Sequence, residues 1–287
     1  MRLVSFRGNG RNSYGIQTDA GIIDAGARLG QSYADLREVL IAGALGELQA
    51  LAGESPDLAV DEISYLPPIG SPASKFLCIG INYMPHILEM GRERPDYPVI
   101  FVRFADSIVG HGQGMVLPNV SERFDYEGEL AVVIGKQARH VPAAEAMDYV
   151  AAYGCFNDGS VRDYQRHTQQ WTPGKNFHHS GAFGPWIVTA DDCPAPDQMQ
   201  LTTRLNGEVV QNESVAELCF DIPALIEYIT TWAQLEPGDV IVSGTPGGVG
   251  AGRTPPLWMK AGDKVEVQIT GVGTLRNDVV AEDDAQL

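Results

Sequence analysis

Two glutamates stand one glycine apart in FDYEGELAVVIGK (residues 124–136), at the head of a run that otherwise reads as a buried strand. Successive side chains in a strand alternate faces, so Glu127 and Glu129 point the same way, roughly 7 Å apart along the backbone. Like charges held that close raise one another's pKa and cost stability unless a cation or a proton intervenes. Downstream, NDGSVRDYQ (157–165) follows an apolar stretch and gathers Asn157, Asp158, Ser160, Arg162 and Gln165. Asp158 and the two glutamates together offer three carboxylates to one ion. All-oxygen ligation without a nearby histidine fits a hard cation, Mg²⁺ or Mn²⁺, better than Ca²⁺, and disfavours zinc. On spacing alone, the same pattern also describes one solvated face of a strand.

A second set lies in NYMPHILEM (82–90). His86 and Glu89 are three apart and share a face of a helical turn, where the carboxylate holds the imidazole in one tautomer and raises its basicity. Such a histidine can take a proton from water and return it to a leaving carbanion. A surface pair without function satisfies the spacing equally. Pro85 suits the first turn of a short helix, and residues 85–98 are expected to form a lid ordered by bound ligand. Lys175 follows WTPG, a turn that would present it beside the strands to stabilise developing negative charge, unless it is a solvated surface lysine. SGTPGGVG (243–250) lacks the Gly-Lys-Ser/Thr ending of a phosphate loop and opens no obvious helix. Its glycines are expected to let backbone approach a ligand, with Thr245 donating to a carboxylate. His178 and His179 face different ways in any extended segment and are given no shared metal. His111, His140 and His167 are read as surface or supporting residues.

These groups need a scaffold. The 287 residues are 44% hydrophobic and 20% charged, enough for a substantial core. A formal net charge of −17 argues against sequence-independent binding to nucleic acid or anionic membrane. Neither a run of 18 apolar residues nor a signal-peptide-like apolar start is present, so a soluble, cytoplasmic protein is expected. Cys78, Cys155, Cys193 and Cys219 form no CxxC pair and read as small hydrophobes in a reducing compartment. Residues 1–70 are expected to be a small N-terminal α+β domain, with strands in RLVSF, SYGIQT and GIIDA and a helix over SYADLREVLIAGALGELQALAG (32–53). LPPIGSPAS (66–74) leads into the remainder, 71–287. There KFLCIGINY, PVIFVRF, GELAVVIGK, LTTRLNGEVVQ, DVIVSG and KVEVQITGVGTLRNDVV read as strands. Helices are predicted near 143–153 and 221–235. Strands outnumber helices without a βαβ rhythm, which predicts a strand-dominated α+β fold.

Eight motifs occur in a fixed order: GINYMPHILEMG, FDYEGELAVVIGK, NDGSVRDYQ, QWTPGKNF, GPWIVT, LNGE, LEPGDVIVSGTPGGVG and GVGTLRN. Together they resemble the fumarylacetoacetate hydrolase family over about residues 75–281. The family includes acylpyruvate hydrolases, oxaloacetate decarboxylases and related hydratases and isomerases. The resemblance implies the family's mixed β-roll with a small N-terminal domain. It places a metal triad on Glu127, Glu129 and Asp158, usually holding Mg²⁺, and an acid–base pair on His86 and Glu89. It places substrate-binding groups on Lys175, Arg162, Gln165 and Thr245, and it implies a homodimer. Members often carry Lys-Pro where this chain has Arg103-Phe104, and Arg103 is expected to bind a substrate carboxylate bidentately. Trp171, His178 and RTPPLWM (253–259) either line the site, suiting a larger or more apolar acyl group, or serve core packing or a dimer contact.

The activity this implies is Mg²⁺-dependent hydrolysis of a carbon–carbon bond in a 1,3-diketo acid such as an acylpyruvate, in catabolism of aromatic or other oxo-acid compounds. His86, aided by Glu89, would activate the water. Decarboxylation, isomerisation or hydration of an oxo-diacid such as oxaloacetate is the alternative, and a noncatalytic metabolite-binding protein the rival from another class. Removing one carboxylate of the triad, as in Glu127→Ala, is expected to relieve repulsion and stabilise the metal-free protein slightly.

Overall fold

A computed structural model of the chain describes residues 1–285. Apolar alternation broken by Gly and Asn turns gives β1 (Arg2–Gly8), β2 (Arg11–Thr18) and β3 (Gly21–Ile23), followed by the short α1 (Ala25–Arg28). The single helix predicted over 32–53 is divided into α2 (Leu36–Ile41) and α3 (Leu45–Leu51). Gly43 between them takes a φ of +64°, a left-handed conformation that ends a helix at no steric cost to glycine. Then come β4 (Ser64–Leu66), β5 (Phe76–Gly80), α4 (Met84–Glu89), β6 (Val99–Arg103), β7 (Ile108–Val109), β8 (Met115–Leu117) and β9 (Phe124–Asp125). The central elements are β10 (Gly128–Ile134), β11 (Val150–Asn157), β12 (Ser160–Val161), α5 (Arg162–Gln165), α6 (Thr172–Lys175) and β13 (Gly181–Thr189). The chain closes with β14 (Gln200–Leu205), β15 (Glu208–Ser214), α7 (Ile222–Trp232), β16 (Val240–Val242), β17 (Lys264–Ile269) and β18 (Gly273–Ala281).

The strand-dominated α+β architecture is as the sequence predicts. An eleven-stranded sheet runs β3-β2-β1-β13-β11-β10-β16-β5-β6, with β4 paired to β1 and β7 to β13. The strands of the first 66 residues therefore extend the same hydrogen-bonded sheet that carries the carboxylates, through the antiparallel pairing of β1 with β13. A five-stranded sheet, β15-β14-β17-β18-β8, lies apart from it, and β9 and β12 form a two-stranded ribbon.

β10 explains why the sequence runs apolar without a break. Leu130, Val132 and Ile134 join the core shared with the five-stranded sheet and α7, while Ala131 and Val133 join the core under α2 and α3. A strand buried on both faces has no polar alternation to show. The same pressure overturns the helix predicted over 143–153. Ala143–Tyr149 makes only 3₁₀ turns, and from Val150 the chain is β11, paired on both sides with β10 and β13. Residues after α4 are tied back to α7 and its approach. Tyr97 stacks on Tyr228 with centroids 6.0 Å apart, and Arg94 donates to the Cys219 carbonyl at 3.1 Å. Cys78 and Cys155 are buried and Cys193 and Cys219 half-buried, all as free thiols. No described helix is long and apolar enough to cross a membrane.

The parallel pairing of β16 with β5 brings the loop after each strand to one end of the sheet. Asp239, fully buried, anchors that pairing by accepting from Lys75 N at 2.8 Å, Lys75 Nζ at 2.6 Å and Glu236 N at 2.8 Å. Asp239→Ala leaves those donors without an acceptor and should lower stability by about 2–4 kcal/mol in urea denaturation. Asp239→Asn, which keeps one acceptor oxygen, should lose less.

Candidate active site

The glycine between the two glutamates is dictated by packing. A Cβ on Gly128 would lie 2.0 Å from Thr203 Oγ1 on the five-stranded sheet, so only glycine lets β10 pass there. Gly128 pairs with Asn157 and Glu129 with Phe156 in the β10–β11 register. Asp158 N donates to the Glu127 carbonyl at 2.8 Å, and Glu127 N to Asn157 Oδ1 at 3.0 Å. These bonds bring Asp158 beside the glutamates. Oxygen atoms from Glu127, Glu129 and Asp158 lie within 4.8 Å of one another, and all three residues are buried.

Three buried cations meet this cluster unevenly. Arg162 donates through Nε to Asp125 Oδ2 at 2.8 Å and through Nη1 to Gln165 Oε1 at 3.0 Å, and its Nη2 lies 2.6 Å from Glu127 Oε1. Lys175 Nζ donates to Asp158 Oδ2 at 2.6 Å and to Glu127 Oε2. Burial opposes ionisation of Glu127, but Arg162 and Lys175 outweigh it and hold the carboxyl well below the usual range. Among the described residues, Glu129 accepts only from the Gly244 backbone N–H, at 2.6 Å. Burial, with the charges of Asp158 and Glu127, pushes its carboxyl well up. Were all four ionised, Asp125, Glu127, Glu129 and Asp158 would exceed the cations Arg103, Arg162 and Lys175 by one charge, and that excess falls on Glu129, the carboxyl held toward its neutral form. A divalent cation bound by the three carboxylates fits that deficit and the hard-oxygen donor set.

Arg103 departs from its expected role. Its five N–H groups donate to Ser107 Oγ (3.2 Å), Asp158 Oδ1 (2.6 Å), the Gly159 carbonyl (3.0 Å), the Ser107 carbonyl (3.2 Å) and Ser180 Oγ (2.8 Å). The guanidinium is fully buried, does not line the cavity, and orients Asp158 instead of binding a substrate carboxylate. Thr245 does line the cavity, but its hydroxyl already donates to the Gly128 carbonyl at 3.0 Å and accepts from Gln211 Nε2 at 2.8 Å. Its proton is spent within the protein, not on a ligand.

His86 and Glu89 meet as their spacing predicts. Pro85 sits in the first turn of α4, and His86 Nδ1 lies 2.9 Å from Glu89 Oε1. Glu89 Oε2 accepts from Gly248 N at 2.8 Å, which fixes the carboxylate. The buried imidazole is left with Nε2 for the cavity it lines. That cavity, about 300 Å³, is bounded at its polar end by His86, Glu127, Glu129, Arg162, Gln165 and Lys175. Trp171 lines it too, in a slot that a Cβ on Gly80 would close at 2.2 Å. His178 and residues 253–259 do not line it. The His178 and His179 rings stack at 3.7 Å, contrary to expectation, because His179 takes a φ of +54° that turns its ring onto its neighbour.

Sequence reasoning missed Asp125, which accepts from Arg162, Gly250 N (2.8 Å) and Ala251 N (2.9 Å). Its signal was present, since Asp125, Glu127 and Glu129 recur at every second residue. It missed Ile81 and Asn82 as well. Ile81 holds a φ of +48°, strained for a β-branched residue. Asn82 next to it donates to the Ser243 carbonyl at 2.8 Å and to the Phe220 carbonyl at 3.0 Å, and accepts from Phe220 N at 2.8 Å. Nothing in the local sequence marks either position.

The profile of the fumarylacetoacetate (FAA) hydrolase C-terminal domain matches residues 75–280. The human mitochondrial oxaloacetate tautomerase FAHD2A is 41% identical over 234 residues, spanning 81% of this chain and 74% of that protein. The fumarylacetoacetate hydrolase of psychrophilic Exiguobacterium antarcticum superposes with a TM-score of 0.86 at 32% identity, over 98% of this chain and 100% of that one. The maleylpyruvate hydrolase of Sphingobium sp. SYK-6, in complex with manganese(II) and pyruvate, gives 0.80 at 27% identity, over 98% and 99%. With its carboxylate cluster inside the matched span, the chain belongs to the fumarylacetoacetate hydrolase family.

Proposed function

We propose that this protein is a divalent-metal-dependent enzyme that moves a proton on a 2-oxo diacid, interconverting the keto and enol forms of oxaloacetate or a close analogue. The observation that carries the reading is one cavity that joins an oriented His86–Glu89 pair to a buried carboxylate triad lacking one positive charge. The relation to the oxaloacetate tautomerase supports the choice of substrate. Glu127, Glu129 and Asp158 would hold Mg²⁺, with Mn²⁺ a competent substitute. When bound, the cation supplies Lewis acidity that lowers the energy of an enolate.

The chain's own groups divide the remaining work. Glu89 holds His86 Nδ1, so Nε2 is the atom that would take the proton from the carbon beside the keto group and deliver it to the enolate oxygen, and run the same transfer in reverse. The Glu89 carboxylate stabilises the imidazolium formed meanwhile. Lys175 uses two of its three N–H groups on Glu127 and Asp158, leaving the third for charge developing on the substrate oxygen. The Gln165 amide, held through its oxygen by Arg162, presents its NH₂ to a carboxylate. A second reading, hydrolysis of a 1,3-diketo acid, is favoured by the same pair, since an oriented imidazole can equally activate water. The likeness to the maleylpyruvate hydrolase adds to it.

The two readings part in one assay. Enol oxaloacetate should lose its ultraviolet absorbance faster with enzyme and Mg²⁺ than with Mg²⁺ alone, whereas acylpyruvates should yield no new carboxylic acid by NMR. Acid and pyruvate formed from an acylpyruvate, without any acceleration of the enol decay, would replace the first reading by the second. His86→Ala should cut turnover by at least ~100-fold with metal affinity by calorimetry unchanged, because His86 is not a ligand. Glu89→Gln should lose activity in the same direction and less. Undiminished turnover in His86→Ala would place the base elsewhere.

The metal centre has its own test in the protein stripped by chelator. The structure reverses the expectation for Glu127. Glu127 neutralises Arg162 and Lys175, so Glu127→Gln should destabilise the stripped protein by on the order of 3 kcal/mol. Glu129→Gln replaces a carboxyl that burial already pushes toward its neutral form and should not lower the melting temperature of the stripped protein. Both variants should lose the melting-temperature gain that Mg²⁺ gives the wild type. A full Mg²⁺ gain in Glu129→Gln would sink the triad.

A further inference from the structure

We propose that Arg92 and Arg166 form an outer anion subsite that selects dicarboxylic over monocarboxylic oxo acids; the proposal rests on the oxo-acid reading above. The catalytic cavity adjoins an outer cleft of about 540 Å³, and Arg92, Phe101, Gln165, Arg166 and Trp171 line both. The outer cleft's remaining walls are Val99, Ile100, Thr168, Gln169 and Gln170. No acidic side chain lines it, in a chain with 37 acidic residues against 20 basic ones. Among the described residues, neither arginine has a carboxylate within 4.0 Å, whereas Arg103 and Arg162 at the inner end are both paired. The Arg92 guanidinium lies 5.7 Å from the Trp171 ring centroid. Its face-on attraction, ~0.5–1 kcal/mol at an exposed site, keeps the charge at the junction of the two spaces.

The arrangement separates two anionic ends along one path. The inner end offers Lys175, Arg162 and the carboxylate triad to a 2-oxo acid head. The outer end offers two guanidinium groups with no carboxylate partner among the described residues, the side chain whose donor fork matches a carboxylate. Gln165 touches both ends of that path. A substrate with a methyl group where the distal carboxylate should be would leave both arginines solvated and gain nothing from them. On a strongly acidic surface the same pair also offers an incoming dianion a local attraction.

2-Oxoglutarate and 2-oxopentanoate share the 2-oxo acid head and chain length and differ only in a terminal carboxylate against a methyl. Calorimetry on the Mg²⁺-loaded protein should give the diacid about tenfold or more tighter binding, a preference that shrinks as salt is raised. Arg92→Gln with Arg166→Gln should remove that preference by weakening the diacid while leaving the monoacid as in wild type. Arg92→Lys, which keeps the charge but not the fork, should fall between. A double variant that keeps the wild-type preference, or that weakens both acids equally, would overturn the subsite. Failure of either acid to bind the wild type would instead overturn the oxo-acid reading, and the subsite with it.

Discussion

Everything at the working end of this molecule answers one electrostatic demand: the lead into β10 and the strand itself carry two ionisable carboxylates, Glu127 and Glu129, into the protein interior side by side. Ion pairs in such a place cost desolvation that their attraction repays only with near-complete hydrogen bonding. The structure supplies that completion for Glu127, Asp158 and Asp125 through Arg162, Lys175 and Arg103. It withholds it from Glu129. An apolar core of the same volume would be no less stable, so an arrangement this costly points to a cation as the missing partner.

The same demand explains the glycine-rich loop after β16. Gly244 N donates to Glu129, Gly248 N to Glu89, and Gly250 N and Ala251 N to Asp125. One loop therefore orients Glu129, Glu89 and the Asp125 anchor of Arg162 together. Its glycines are needed for close approach more than for ligand contact. Gly244 has a φ of +105° and packs on Asn82, and a Cβ on Gly252 would meet the Glu89 carboxylate at 2.9 Å. Arg253 braces the loop through the Gly248 and Val210 carbonyls.

What was legible in the sequence follows from what is local. The E-x-E spacing and the three-residue His–Glu step are each fixed by one short stretch of chain. The motif order supplied the family and the fold class. Arg103 and Thr245 were misread because their partners lie far along the chain. Asp158 is 55 residues from Arg103, and Gln211 is 34 from Thr245. A side chain's type says what it can bond, and only the fold says which bonds are already made. The helix expected over 143–153 failed likewise, since pairing on both edges of β11 outweighs an alanine-rich composition.

Arg103 also shows how a buried guanidinium is accommodated. A guanidinium needs more room and more acceptors than an ammonium. The room comes from Gly181, where a Cβ would lie 2.6 Å from Nη2, and the acceptors include Ser107, Ser180 and the Gly159 carbonyl. The guanidinium thus sits behind Asp158, away from the cavity, and holds that carboxylate from the rear. Tautomerisation and carbon–carbon hydrolysis both develop charge on an oxo acid's oxygen and both use a positioned base. A triad steadied from behind can serve either.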